Sequence, residues 1–385
     1  MTKGNFPIDK FKGLQTPFYY YDTELLRNTL KLVTGEAGKY GYHVHYAVKA
    51  NANSKILSIV RENGLGADCV SGGEIQACLD AGFPANKIVF AGVGKADWEI
   101  NLGLDNNIFC FNVESAAELE VINELAEAKN KVASVALRVN PEVDANTHHY
   151  ITTGLKENKF GINLCQLDEV LDQFARLKNV KLIGLHFHIG SQITDLTSFK
   201  GLCARVNEIQ ENMAKRHMIV EHINVGGGLG IDYQNPDRQS IPDFADYFAI
   251  FHQLLKLQPN QTLHFEPGRS IVGQCGSLIT KVLYVKKGSS KQFAIVDAGF
   301  TELIRPALYQ AYHKIENLTS EGAVEAYDVV GPICESSDCF GKAVDLNEVH
   351  RGDLIALRSA GAYGEIMASQ YNCRKLPKAY FSDTL

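Results

Sequence analysis

The stretch Tyr42–Val70, YHVHYAVKANANSKILSIVRENGLGADCV, decides how the chain folds. It opens with an aromatic and β-branched run, Tyr42–Val48. Ser54–Asn63 follows, with apolar residues at helical spacing, and Gly66–Val70 closes it with a second short run. Period two suits a strand and period 3.6 an amphipathic helix, so the stretch reads as strand, helix, strand. Six more strand-like runs continue the rhythm: Ile88–Ala91, Ile108–Asn112, Val132–Val139, Lys181–His188, Ile219–Val225 and Thr262–Glu266. Helices are expected at Gly73–Ala81, Ser115–Ala128, Leu167–Leu177, Phe199–Lys215 and Pro242–Leu257. Such alternation demands a parallel sheet with right-handed crossovers, and eight units close a (β/α)₈ TIM barrel. An open doubly wound sheet is the alternative.

From residue 270 the rhythm changes to short strand-like pieces separated by turns: Ser277–Val285, Gln292–Asp297, Tyr327–Val330 and Asp353–Leu357. The opening segment Phe6–Asp22 contains TPFYYYD, whose aromatic content suits a strand that pairs with this C-terminal part. The expected division is a barrel over 23–269 and an all-β domain built from 1–22 plus 270–385. A chain of 385 residues accommodates both, since a domain takes ~100–200 residues and a barrel up to ~250. With 45% hydrophobic and 21% charged residues, wholesale disorder is excluded. The longest apolar runs fall short of the ~18 residues of a spanning helix, and the start MTKGNFPIDKFKG has no apolar export signal. No membrane association and a cytoplasmic location are therefore expected. A net charge of -6 offers no positive field for nucleic acid. Nine cysteines without a C-x-x-C pair imply neither a disulfide framework nor a zinc ribbon, so most are expected reduced and buried.

In a (β/α)₈ barrel, reactive groups belong at the C-terminal ends of the strands. The runs end there in AVKAN (Lys49), DCVSGGE (Asp68), RVNP (Arg138, Asn140), HFHIGSQ (His186, His188, Ser191), NVGGGLG (Gly226, Gly227, Gly228) and FEPGR (Glu266, Pro267, Gly268, Arg269). Three bare glycines after a strand let backbone N–H groups approach a phosphate, or merely make a tight turn with positive φ; EPGR in the next loop adds a further N–H and a guanidinium. Lys49 ends an apolar strand, where an ammonium is costly. It either forms an imine with a carbonyl cofactor or sugar phosphate, or pairs with Asp68 or Glu266. His186 and His188 share one side of their strand, and His186 serves either the site or the barrel interior. His148 and His149 sit in a long loop, Pro141–Asn163, without the partners a metal needs, and no metal is expected.

The runs YAVKAN, GADCVSGGE, HFHIGSQI, NVGGGLGI, EPGRSIV, RPALY, GPICESSD and GAYGEIMASQYN, in this order, resemble the diaminopimelate decarboxylase family of alanine-racemase-like, fold-type III enzymes that use pyridoxal 5′-phosphate (PLP). The likeness spans Thr16 to Leu376. It implies a barrel with a C-terminal β domain, a homodimer with shared active sites, and decarboxylation of meso-2,6-diaminopimelate to L-lysine and CO₂, the last step of lysine biosynthesis.

By the same resemblance Lys49 would hold PLP covalently, His188 would stack on its ring and Glu266 would face the pyridine nitrogen, favouring the pyridinium that accepts electrons as CO₂ leaves. Ser191, Gly226, Gly227, Gly228, Gly268 and Tyr363 would hold the phosphate, with Asp68 and Pro267 completing the cofactor's surroundings. Arg269, Arg305, Tyr309 and Tyr363 would bind substrate. Cys334 and Glu335 of CESSD would reach the partner's site, Cys334 as proton donor and Glu335 beside the far ammonium; the plain reading of Cys334 is a core filler. The loop containing HHYITTGLKENKFG is similar to a mobile stretch of the family, which implies a lid. Rival readings are a related basic amino-acid or polyamine decarboxylase, a racemase, and a non-enzymatic PLP-binding protein.

Overall fold

The computed structural model describes residues 4–143 and 159–385. Among the described residues sixteen strands follow in chain order: β1 (Phe18–Tyr21), β2 (His43–Ala47), β3 (Gly66–Cys69), β4 (Ile88–Phe90), β5 (Cys110–Val113), β6 (Ala133–Arg138), β7 (Val180–His186), β8 (His222–Asn224), β9 (Thr262–Phe265), β10 (Gly276–Lys287), β11 (Gln292–Val296), β12 (Ile315–Asn317), β13 (Val324–Val330), β14 (Cys339–Asn347), β15 (Leu354–Leu357) and β16 (Lys378–Phe381). Strands β2 to β9 form a closed parallel barrel in sequence order, sealed where His43 and Val44 of β2 pair with His264 and Phe265 of β9. All eight expected barrel strands are present, and the open sheet is ruled out.

Two compact units divide the chain. One comprises Thr29–Gly230 and Asp243–Gly268; the other comprises Met1–Asn28, Ile231–Pro242 and Arg269–Leu385. Ile231–Pro242 thus packs with the β-rich unit, although the rhythm of runs carries it inside the barrel.

Within the barrel unit, local chemistry sets where helices begin. SGGE (71–74) and SAAE (115–118) are capping sequences: Ser71 and Ser115 accept hydrogen bonds from the N–H of Glu74 and Glu118, whose carboxylates accept from the N–H of Val70 and Glu114. The helix Phe244–Leu254 puts Phe244, Tyr247, Phe248 and Phe251 on one buried face. Phe248 and Phe251 meet the Phe265 ring of β9 at centroid distances of 4.8 and 5.0 Å. Burying each such side chain contributes roughly 1.5–3 kcal/mol.

At the opposite, N-terminal mouth of the barrel, four histidines gather around a cavity of about 380 Å³. His45 Nε2 lies 3.0 Å from His264 Nδ1, His264 Nε2 lies 3.0 Å from His222 Nδ1, and the His43 ring stacks on His264 at 4.8 Å. His45 Nδ1 lies 3.2 Å from the carbonyl of Lys87, which can only accept, so this nitrogen carries the proton and the chain of rings is neutral.

The β-rich unit is an eight-stranded sheet. β1 lies in its interior, antiparallel to β10 and parallel to β16. All four residues of β1 are buried, which explains an unbroken aromatic run in place of alternation. Tyr19 and Tyr21 place their hydroxyls on the Glu302 carbonyl (2.7 Å) and the Glu365 carboxylate (2.6 Å).

Burial holds His45 down to about 4, and His264, His222 and His43 are also lowered, chiefly by burial. Unfolding frees these rings to protonate near 6.5, so their contribution to stability is complete above pH 6.5 and lost as pH falls toward 4. For His45 alone the loss is on the order of 3 kcal/mol. Urea midpoints measured from pH 7.5 to 4.5 should fall steeply below 6.5, and less steeply in His45→Gln; identical slopes would exclude this source.

Candidate active site

The C-terminal end of the barrel gathers its polar residues around Glu266, which follows β9 and is 6% exposed. Asn224 at the end of β8 donates to its Oε1 at 2.6 Å, and Asn112 of β5 approaches the same oxygen at 3.4 Å. His186 at the end of β7 bonds the other oxygen through Nε2 at 2.9 Å. Burial alone would raise this carboxyl, but the charge and hydrogen bond of His186, with the Asn224 amide, hold it well below the usual carboxylate range. Asp68, at the end of β3, goes the other way: burial, and then the charge on Glu266, push it well above that range. Its buried Oδ1 has no hydrogen-bond partner among the described residues. The two buried carboxyls are thus shifted in opposite directions, Glu266 down and Asp68 up.

Lys49 sits in a short 3₁₀ turn directly after β2 and feels the charges of Asp68 and Glu74. His188 is half-buried and held toward its neutral form, first by desolvation and then by the charges of Lys49 and Arg138. The N–H of Gly227 points to His188 Nδ1 at 3.4 Å. Arg138 bonds Glu114 at 2.7 Å, and Glu114 also accepts the N–H groups of Gly92 and Gly161, tying three loop ends together.

The glycine loop after β8 has no room for side chains. A Cβ on Gly227 would stand 2.1 Å from the Glu266 carbonyl oxygen, and one on Gly226 would stand 2.4 Å from the Phe187 carbonyl. Gly226 and Gly228 take φ of +69° and +110°. The turn reading of GGG holds: Gly226 and Gly228 take positive φ, and the N–H groups of Gly226 and Gly227 are directed to Asn224 Oδ1 at 2.9 Å and His188 Nδ1 at 3.4 Å.

In the β-rich unit, Arg269 and Arg305 both donate to the hydroxyl of Tyr233, at 2.6 and 2.9 Å. The Arg269 guanidinium also lies 4.9 Å from the centre of the Tyr363 ring. Arg305 and Tyr309 open and close one short helix, RPALY. Cys334 and Glu335 are exposed on a turn that buried Asp338 fixes by accepting the N–H groups of Ile333 and Phe300, both at 2.7 Å. Tyr371 donates to Glu335 at 3.1 Å. Cys334 is thus no core filler. Cys165 and Cys373 are exposed as well, while Cys69, Cys78, Cys110, Cys203 and Cys275 are buried, so most of the cysteines lie inside as expected. His148, His149 and most of the presumed lid lie outside the described residues, and among those described no cluster is arranged to hold a metal.

Reading strand ends alone missed Asn112, Asn224, Glu114, Tyr233 and His313. Asn112 and Asn224 were findable, because an amide near the end of an apolar strand needs a buried partner. Tyr233 carried no such signal.

These residues fit PLP: an amine at Lys49, a neutral flat ring at His188, an ionised carboxylate at Glu266 and a side-chain-free backbone loop. The chain belongs to the pyridoxal-dependent decarboxylases, matching their pyridoxal-binding domain over residues 26–273. It is 72% identical over 384 residues to a diaminopimelate decarboxylase of Bacteroides thetaiotaomicron, covering 100% of both chains. It is 43% identical over 370 residues to one from Helicobacter pylori, covering 94% of this chain and 89% of the relative. The solved H. pylori diaminopimelate decarboxylase complexed with L-lysine superposes with a TM-score of 0.91 at 41% identity, covering 97% of this chain and 93% of that one.

Gly227→Ala should weaken PLP binding at least tenfold and destabilise the protein by about 1–3 kcal/mol through the forced backbone shift. Titration of PLP by visible absorbance, together with thermal unfolding, measures both. Unchanged affinity would show that the loop does not hold the cofactor.

Proposed function

We propose that this protein removes CO₂ from the D-centre of meso-2,6-diaminopimelate to give L-lysine, the last step of lysine biosynthesis. The observation that carries this reading is the buried pair of guanidiniums, Arg269 and Arg305, meeting on one phenol oxygen. Two like charges held this close form a receptor for an anion. Diaminopimelate has a carboxylate at its far end that ornithine and arginine lack.

When bound, PLP supplies a conjugated ring that accepts the electron pair left as CO₂ departs. Lys49 is the amine that anchors it. Glu266, held ionised by His186 and Asn224, keeps a negative charge for the pyridine nitrogen, and the neutral His188 ring offers a flat apolar face. Ser191, the loop Gly226–Gly228, Gly268 and Tyr363 hold the phosphate, with Asp68 and Pro267 beside the cofactor. Arg269 and Arg305 take the far carboxylate with Tyr309 and Tyr363 alongside, and Glu335 takes the far ammonium. A substrate lacking that carboxylate would forgo the bonds of an anion to two buried cations, at ~1–3 kcal/mol or more per group.

Cys334 delivers its thiol proton to the carbon that has lost CO₂. A cysteine suits the task because an ordinary thiol, near 8.5, is mostly protonated at neutral pH. The chain acts as a homodimer in which Cys334 and Glu335 complete the partner's site; their exposure on a rigid turn supports this. A working thiol also calls for a reducing compartment, in keeping with the cytoplasm.

The test is CO₂ release from meso-diaminopimelate beside ornithine and arginine. Diaminopimelate should be turned over at least a hundredfold faster; equal rates would sink the assignment, and loss of optical activity without CO₂ would favour a racemase. Lys49→Ala should lose both turnover and the visible absorbance of covalently held PLP. Cys334→Ala should lower kcat ~10²-fold with PLP still bound. Mixing Lys49→Ala with Cys334→Ala should restore part of the activity if sites are shared between subunits.

A further inference from the structure

One cluster in the β-rich unit goes beyond ligand contacts. Tyr233, which follows the glycine loop in the chain, accepts hydrogen bonds from Nη1 of Arg269 and Nη1 of Arg305, at 2.6 and 2.9 Å. Nη1 of Arg305 also lies 3.0 Å from His313 Nε2, and His313 Nδ1 lies 2.8 Å from the backbone carbonyl of Arg358. That carbonyl can only accept, so Nδ1 carries the proton of the neutral ring. Nε2 is then a lone pair, the state that receives an N–H from a guanidinium. His313 also packs edge-on against Tyr233, ring centres 5.3 Å apart at 83°. Arg358 is in turn anchored by Asp237 at 2.6 Å and Glu316 at 2.7 Å, which fixes the end of the chain of contacts.

Every central member is buried: Arg269 and Arg305 are each 6% exposed, Tyr233 9% and His313 1%. Two cations in so dry a place repel each other. Two acceptors, one phenol oxygen shared by both guanidiniums and one imidazole nitrogen on Arg305, hold them in place. The same nitrogen of Arg305 serves both contacts, so the fork of Nε and Nη2 is the edge a carboxylate would take in bidentate fashion. Burial, and then the Arg305 charge, hold His313 down to about 3, so it stays an acceptor across the physiological range.

We propose that Tyr233 and His313 are positioning residues that fix Arg269 and Arg305 as one preset receptor, and so determine selectivity for a substrate with a second carboxylate. The proposal rests on the reading that these arginines bind that carboxylate. Neither Tyr233 nor His313 need touch substrate. Each withholds from the guanidiniums the freedom to separate, and an anion then binds without first having to assemble its own receptor.

The test uses full-length, PLP-loaded enzyme and two competitive inhibitors: L-lysine, which keeps the far carboxylate, and 1,5-diaminopentane, which lacks it. Tyr233→Phe should raise KM for meso-diaminopimelate and Ki for L-lysine about tenfold, with kcat within about twofold and Ki for 1,5-diaminopentane unchanged. His313→Leu should do the same, while His313→Gln, whose amide oxygen can replace Nε2 as acceptor, should return KM to near the wild-type value. Should Tyr233→Phe fail to fold, the contrast between His313→Leu and His313→Gln decides. Wild-type KM and lysine inhibition in Tyr233→Phe and His313→Leu, a fall in kcat at unchanged KM, or equal weakening of both inhibitors would overturn the proposal. Wild-type enzyme that binds L-lysine no better than 1,5-diaminopentane would instead overturn the underlying reading of the arginines.

Discussion

A single carboxylate kept ionised inside a dry barrel is the constraint on which the catalytic half of this protein depends. Burial opposes the charge on Glu266, and only donors brought from other strands overcome that opposition: His186 from β7, Asn224 from β8 and Asn112 from β5. Those donors coincide only if the parallel register is right along the whole arc from β5 to β9. Closure of the barrel and the buried charge of Glu266 are therefore one requirement. The upward shift of Asp68, due first to burial, draws on the same source, since the charge on Glu266 adds to it.

The two units divide the chemical labour. The barrel unit carries Lys49, His188, Glu266 and the glycine loop, while the β-rich unit carries the paired arginines, Tyr363 and the exposed CESSD turn. Along the chain, only Pro267 and Gly268 stand between Glu266 and Arg269. On the proposed roles, the groups around the cofactor ring and the paired arginines belong to different scaffolds.

The barrel was legible because period-two runs separated by helical periods recur eight times, and a parallel sheet leaves such runs apolar. Lys49, Glu266 and the glycine loop stood out as polar or bare residues placed where apolar strands end. Less legible were the helices Thr23–Gly38 and Asp97–Asn106, and strands β12, β14 and β16. The helix Thr23–Gly38 runs from one compact unit into the other, and β14 is half exposed and charged, so neither shows a clean period. Placement of Ile231–Pro242 with the β-rich unit was invisible, because it depends on Tyr233 finding two arginines that lie 36 and 72 residues further along. Hydrogen bonds between distant residues leave no local pattern, and for the same reason the acceptors of Arg305 had to be seen rather than read.

The position of β1 has a consequence for biosynthesis. Phe18–Tyr21 is synthesised before the whole barrel, yet its parallel neighbour Lys378–Phe381 follows the whole barrel. Four buried aromatic residues must therefore wait, unpaired on that side, until Lys378–Phe381 has been made. The barrel strands, all contained between His43 and Phe265, are available long before that moment. During synthesis the barrel can close first, and the aromatic strand is a sticky segment that nascent-chain binding factors have reason to shield until the last strand arrives.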